Sequence, residues 1–281
     1  MPTNLVIQSA TPLDEAHLKP LTALARGVSA GLVDPCALRV VNAQPTQRPD
    51  IEIYCETHRL DFAYVPAQSL SAFGLVAMDM DSTLITIECI DEIADFCGLK
   101  AEVAAITEAS MRGEIRDFNE SLTRRVALLK GLDASALERV YEERLKLSPG
   151  AERMLAGARA AGLKTLLVSG GFTFFTERLK ERLGLDYARA NTLEIVDGKL
   201  TGRVLGEIVN ADVKARTLLE TCNTLGFAPS RAIALGDGSN DLKMMAEAGL
   251  SVAFRAKPVV RAAASVAFNY VGLDGLLRLF V

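Results

Sequence analysis

The sequence predicts an α/β protein: a Rossmann-like parallel sheet flanked by helices, with a helical cap inserted into it and a small α/β unit in front. Three observations carry this reading. From Pro149 onward, short apolar runs alternate with helix-length stretches, the order that builds a parallel sheet. Leu75 to Met78 is apolar throughout and stops at Asp79, which suits a strand buried on both faces. Glu88 to Leu147, inserted after that strand, is mostly helical and reads as a cap over the edge of the sheet.

The elements follow in order. Asn4 to Ser9 alternates like a strand and Asp14 to Gly27 has helical spacing. Leu38 to Val41 and Ile51 to Cys55 read as two further strands, with Pro45 and Pro49 breaking the chain between them. Pro66 to Ser71 (PAQSLS) is the linker, so residues 1–70 form one small domain and residues 74–281 the other, with the cap at about 88–147. Helix stops in the cap fall near Gly98, Gly113 and Gly131. Beyond Pro149, helices are expected over Ala151 to Ala161, Thr173 to Leu183, Val213 to Leu225 and Leu242 to Ala248. Strands are expected at Lys164 to Val168, Ala232 to Leu235 and Val252 to Phe254. Asn191 to Ile208 reads as a hairpin turning at Asp197-Gly198.

Composition narrows the function. A chain of 281 residues that is 49% hydrophobic fits about two domains and argues against disorder. The charge sum, 31 − 35 = −4, provides no global basic field to attract nucleic acid. No apolar run reaches the ~20 residues that span a bilayer, and Met1-Pro2-Thr3-Asn4 lacks the basic start of a signal peptide. The five cysteines show no metal-binding spacing, so a cytoplasmic chain with reduced thiols is expected. Only His17 and His58 occur, and Leu60 to Val281 holds no histidine. Ser-His-Asp hydrolysis, Cys-His proteolysis, HExxH metalloproteases and phosphohistidine chemistry are thereby excluded from most of the chain.

In a parallel sheet, ligands bind at the carboxyl ends of the strands. Those ends carry Asp79-Met-Asp81-Ser-Thr83, Ser169-Gly170-Gly171 and Gly236-Asp237-Gly-Ser-Asn240-Asp241, with Lys214 opening a helix between the last two. Each cluster alone reads as a turn or a helix cap; the ordered set points to one site. Four converging aspartates repel one another unless a cation neutralises them, and oxygen-only ligands select a hard ion, Mg²⁺ in a cell. A carboxylate so held can attack phosphorus, glycines let backbone N–H groups approach phosphate oxygens, and Lys214 offsets the charge of the transferring group. The aspartate two residues on can serve as general acid if neighbours or burial raise its pKa.

These motifs resemble those of the haloacid dehalogenase superfamily in its phosphatase branch. The likeness is greatest to the phosphoserine phosphatase family, through Asp79 to Glu92 (DMDSTLITIECIDE), Ser121 to Leu129 (SLTRRVALL) and Leu167 to Phe172 (LVSGGF). The resemblance implies hydrolysis of O-phosphoserine to serine and phosphate through an aspartyl-phosphate, as the last step of serine biosynthesis. Asp79 would be the nucleophile and Asp81 the proton donor and later the base. Mg²⁺ would be held by Asp79, the Asp81 carbonyl and Asp237, with Asp241 in support. Ser169, Gly170 and Lys214 would bind the phosphoryl oxygens, and Asn240 would line the same pocket. In the cap, Glu88 would face the substrate ammonium and Arg125, beside Arg124, would clamp its carboxylate, with Met111 and Phe118 as apolar walls. The N-terminal domain resembles the ACT fold, which implies dimerisation or amino-acid sensing.

Rival readings are weaker. Gly157 to Thr165 has an extra leucine for a P-loop and runs from helix into strand, the wrong order. The GxSxG elbow is absent, because Leu167 occupies its first glycine position. Two alternatives stay open: a phosphotransferase passing the group from Asp79 to homoserine or another small alcohol, and a non-catalytic amino-acid sensor. The intact aspartates argue against the second.

Overall fold

The computed structural model describes residues 3–112, 114–115 and 117–281. Its first part is β1 (Thr3–Gln8), α1 (Glu15–Ala25), β2 (Ser29–Asp34), β3 (Ala37–Val41), α2 (Arg48–His58) and β4 (Asp61–Pro66). The four strands form an antiparallel sheet in the order β2-β3-β1-β4, a split βαβ arrangement. Leu5 and Ile7 of β1 pack against Leu21 of α1 and against Ile51 and Cys55 of α2. Ile51 to Cys55 is therefore helix and not the expected strand. Pro49 sits in the first turn of α2, where its missing N–H is harmless. Ile51 and Cys55, four residues apart, face inward, whereas Ile53 between them is 65% exposed. A strand would have placed all three on one face.

The second sheet has seven strands. In chain order come β5 (Leu75–Met78), the cap helices α3 (Cys89–Phe96), α4 (Lys100–Met111), α5 (Phe118–Leu128) and α6 (Ser135–Arg139), then α7 (Ala151–Ala160) and β6 (Lys164–Phe172). There follow α8 (Thr173–Leu183), β7 (Tyr187–Val196), β8 (Lys199–Leu205), α9 (Ala211–Thr224), β9 (Ala232–Gly236), α10 (Leu242–Glu247), β10 (Leu250–Phe254), α11 (Pro258–Ala263) and β11 (Val266–Phe268). The sheet order is β11-β10-β9-β5-β6-β7-β8, parallel except for the β7–β8 hairpin. Asp197 and Gly198 turn that hairpin with φ of 49° and 74°, the left-handed pair that a two-residue turn requires. Gly98 and Gly131 end cap helices with positive φ; Gly113 lies outside the described residues.

Apolar strands buried on both faces explain why β5, β6, β9 and β10 sit centrally. Val76, Met78, Leu167 and Leu235 contribute to one layer of the core, and Leu75, Ala77, Val168 and Ala234 to the other. The cap closes over the carboxyl ends of these strands and is tied to β8: Gly131 donates its N–H to Leu200, and Leu200 donates in return to Leu132.

The two sheets are joined by polar contacts. The buried Asp61 carboxylate at the start of β4 accepts the N–H groups of Asn269, Tyr270 and Val271 at 2.8–2.9 Å. Arg39 donates to the carbonyls of Arg278 and Phe280, and Gln8 donates to that of Gly275.

Candidate active site

The strand β5 ends at Asp79, and the chain then folds into a tight turn over Met80–Leu84. Asp79 caps it, its carboxylate accepting the N–H of Met80 at 2.7 Å. Asp81 is extended and Ser82 left-handed at φ 55°, a strained conformation for a residue with a side chain. Two bonds hold it: Ser82 donates its N–H to Ile87 and its hydroxyl to Glu88 at 2.7 Å. This kink lets Asp79 and Asp81, two residues apart, both face one cavity of about 420 Å³.

Beneath Asp79 lies Lys214, fully buried near the start of α9. Its ammonium is 2.8 Å from Asp79 and 2.8 Å from Asp241. Burial alone would lower the pKa of this lysine, but the Asp241 and Asp79 carboxylates more than offset it, and the net shift is upward. The lysine stays charged. Asp79 is pushed up by burial and by Asp241, against the pull of Lys214. Asp241 also accepts the Gly238 N–H, and Gly236 is required beside it: a Cβ there would fall 2.4 Å from the Asp241 carboxyl carbon.

Asp237 is braced by the buried Thr83, whose hydroxyl donates to it at 3.0 Å. Burial, then Asp241 and Glu88, push the Asp237 pKa up to about 6. Carboxylate oxygens of Asp79, Asp237 and Asp241 all lie within 4.8 Å of one another. Three carboxylates against one ammonium leave excess negative charge, and an all-oxygen set suits a hard divalent cation. The side chain of Asp81 is not in this cluster. It accepts a long bond from the Cys89 N–H, and burial together with Glu88 pushes its pKa up to about 8. That upward shift favours the protonated form of Asp81, which a proton donor needs.

On the facing strand, Ser169 is buried and its hydroxyl accepts the Gly171 N–H at 2.8 Å. Asn191 accepts the Val209 N–H and donates to the Gly170 carbonyl, which fixes the loop. A Cβ on Gly171 would lie 2.7 Å from the terminal methyl of Met80 and 3.0 Å from the Asp81 carboxylate, so a side chain there would crowd both. Ser169, Gly170, Asp237 and Asn240 all line the cavity.

The cap supplies the roof. Glu88, Arg125 and Phe118 line the cavity, and Phe118 packs over Gly170. Arg124 does not: it is exposed and paired with Glu120 at 2.5 Å on the outer face of α5. The side chain of Met111 lies outside the described residues. Asp91, Thr107, Ser110 and Lys257 also line the cavity, and the sequence reading did not single them out. The first three stand on cap helices whose rotation a sequence does not disclose. Lys257 follows β10, and its position after a core strand was the available signal.

An enclosed carboxylate on a lysine, a second carboxyl of raised pKa beside it and a glycine-lined wall make a group-transfer site for an anionic substrate. Comparison with known families agrees. A family model described as haloacid dehalogenase-like hydrolase matches residues 76–246, and the chain belongs to that family. A second model, a domain of unknown function (DUF4072), matches residues 5–51. Among relatives, a phosphoserine phosphatase from Polaromonas sp. is 60% identical over 218 residues, which is 76% of this chain and 92% of that one. The crystal structure of a probable phosphoserine phosphatase from Vibrio cholerae, unliganded, superposes with a TM-score of 0.84 at 39% identity, covering 99% of this chain and 86% of that one. A structure titled as a phospho-aspartyl intermediate analogue of phosphoserine phosphatase gives a TM-score of 0.69 at 37% identity, covering 77% of this chain and all of the other.

Proposed function

We propose that this hydrolase converts O-phosphoserine to serine and phosphate, with Asp79 as nucleophile. The observation that carries the reading is the pairing of Asp79 with buried Lys214 at the floor of a cavity whose other walls present Asp81, Ser169, Glu88 and Arg125. In the first step an Asp79 carboxylate oxygen attacks phosphorus, and the serine oxygen departs with the proton of Asp81. In the second, water attacks the aspartyl-phosphate and gives a proton back to Asp81, releasing phosphate. Ser169, the Gly170 backbone, Asn240 and Lys214 hold the phosphoryl oxygens. Asp79, Asp237 and the Asp81 carbonyl would hold Mg²⁺, with Asp241 beside them; the ion would lower charge repulsion between nucleophile and phosphate.

Substrate choice comes from the cap. Arg125 offers a two-pronged guanidinium to the serine carboxylate, and Glu88, with Asp91 nearby, faces the ammonium. The chemistry belongs to residues 74–281, with 88–147 as substrate reader, and would serve as the closing step of serine biosynthesis in the cytoplasm. A phosphate-release screen across phosphoserine, phosphothreonine and sugar phosphates, run with and without homoserine, tests this. Phosphoserine should lead clearly, with free phosphate as the product. A sugar phosphate preferred over phosphoserine, or phosphohomoserine as the product, would overturn it.

A further inference from the structure

A second charged concavity lies on the seam between the two sheets, apart from the active-site cavity. It is an open groove of about 770 Å³, and Arg59, Arg255 and Arg261 all line it. No carboxylate lines it, although the chain as a whole is acidic at −4. Among the described residues, none of these three arginines has an acidic partner within ion-pair distance. Each is steadied by a neutral group instead. Arg59 lies over the Tyr270 ring at 5.4 Å, Arg255 over Phe254 at 5.3 Å, and Arg261 donates to Asn269 at 3.3 Å.

Backbone geometry supports a purpose for this arrangement. Arg59 and Arg255 are both left-handed, with φ of 56° and 47°. Asn or Gly would adopt that conformation with less strain. Arg59, which caps the C-terminus of α2, and Arg255, which follows β10, thus line one groove from the two parts of the chain. Three guanidiniums lining one groove without an acid repel one another, and a ligand carrying two or more negative charges relieves that repulsion. The guanidinium fork matches phosphate and carboxylate alike. The groove also adjoins the active site through the chain: Arg255 faces the groove, Ala256 is buried, and Lys257 lines the catalytic cavity while donating its N–H to the Asp237 carbonyl at 3.3 Å.

We propose that this groove binds a compact polyanion and that binding is transmitted to the catalytic cavity along Arg255–Lys257. The test uses the full chain and two probes, inorganic pyrophosphate and citrate, which separate phosphoryl from carboxylate recognition. Calorimetry on metal-free protein should show binding of at least one probe, weakening as salt rises. Arg59→Asn, which keeps a residue tolerant of the left-handed backbone, and Arg261→Gln should each weaken it about tenfold or more. Ser169→Ala, which alters the catalytic cavity, should leave it intact. Turnover of an aryl phosphate at fixed free Mg²⁺ should respond to the probe in the parent protein and not in Arg59→Asn. Melting curves establish that the variants are folded. Unchanged affinity in both arginine variants, or affinity lost with Ser169→Ala, would overturn the site. Binding with no arginine-dependent change in turnover would overturn the transmission.

Discussion

Replacing Lys214 with methionine isolates the electrostatic design of the site. The methionine keeps most of the volume and removes the ammonium buried between Asp79 and Asp241, each 2.8 Å away. Breaking a fully buried ion pair by deleting one partner costs about 3–5 kcal/mol, because the remaining charges stay desolvated. In a protein of this size, each kcal/mol moves Tm by roughly 2–4 °C, so metal-free protein should melt about 6–20 °C lower. Proton uptake softens this at low pH. Lys214 lowers the Asp79 pKa in the parent protein, so its loss raises that pKa further above the unfolded value. A carboxyl with a raised folded pKa contributes stability that is present below its unfolded pKa and lost as pH rises through its folded pKa. The deficit should therefore grow from pH 5 to pH 8. A divalent cation stabilises either protein by about 2.7 kcal/mol at a hundredfold excess over its Kd. It should narrow the deficit because the variant, with one positive charge fewer beside the same carboxylates, binds it more tightly. Melting by circular dichroism in chelator and in Mg²⁺, at both pH values, reads all three effects. A variant that melts within 2 °C of the parent in chelator at pH 8, a threshold set below the ~6 °C floor, would refute the reasoning.

Other substitutions test separate parts of the account. Arg125→Ala should reduce kcat/KM for phosphoserine by about 10²-fold while sparing an aryl phosphate, and Arg124→Ala should spare both; equal losses on the two substrates would remove Arg125 as the carboxylate reader. Gly236→Ala forces Asp241 aside and should destabilise by about 1–3 kcal/mol in urea while weakening Mg²⁺ binding measured by calorimetry; an unchanged midpoint and affinity would contradict the packing. Asp61→Ala strands three backbone N–H groups at the seam between the sheets and should cost about 2–4 kcal/mol in the same assay; a silent substitution would show that the seam is held otherwise.

The parts of the fold that were legible are those where one physical cause dominates. Leu75–Met78, Leu166–Val168 and Ala232–Leu235 are apolar at successive positions because both faces of the central sheet are covered, and no other common environment demands that. The polar residues that follow those apolar runs, Asp79, Ser169 and Asp237, then fall together by topology alone. Legibility failed where faces are mixed. β2 is an edge strand, exposed along nearly its whole length, so its sequence lacks alternation. α2 places Ile51, Ile53 and Cys55 at strand-like spacing although Ile53 points outward. In the cap, neighbouring Arg124 and Arg125 could be separated only by the rotation of α5, which tertiary packing sets. The carboxylate cluster joins Asp79, Asp237 and Asp241; the motifs name these residues, while spacing alone carries no record of which oxygens converge.

On the proposed mechanism, phosphorus passes through a carboxylate of Asp79. Acid quenching during turnover of phosphoserine, followed by peptide mass spectrometry, tests it most directly. The peptide containing Asp79 should carry one added phosphoryl group, labile at alkaline pH, and Asp79→Asn should give neither adduct nor phosphate release. A phosphoryl group found on Ser82, Thr83 or Ser169, or undiminished turnover in Asp79→Asn, would contradict it.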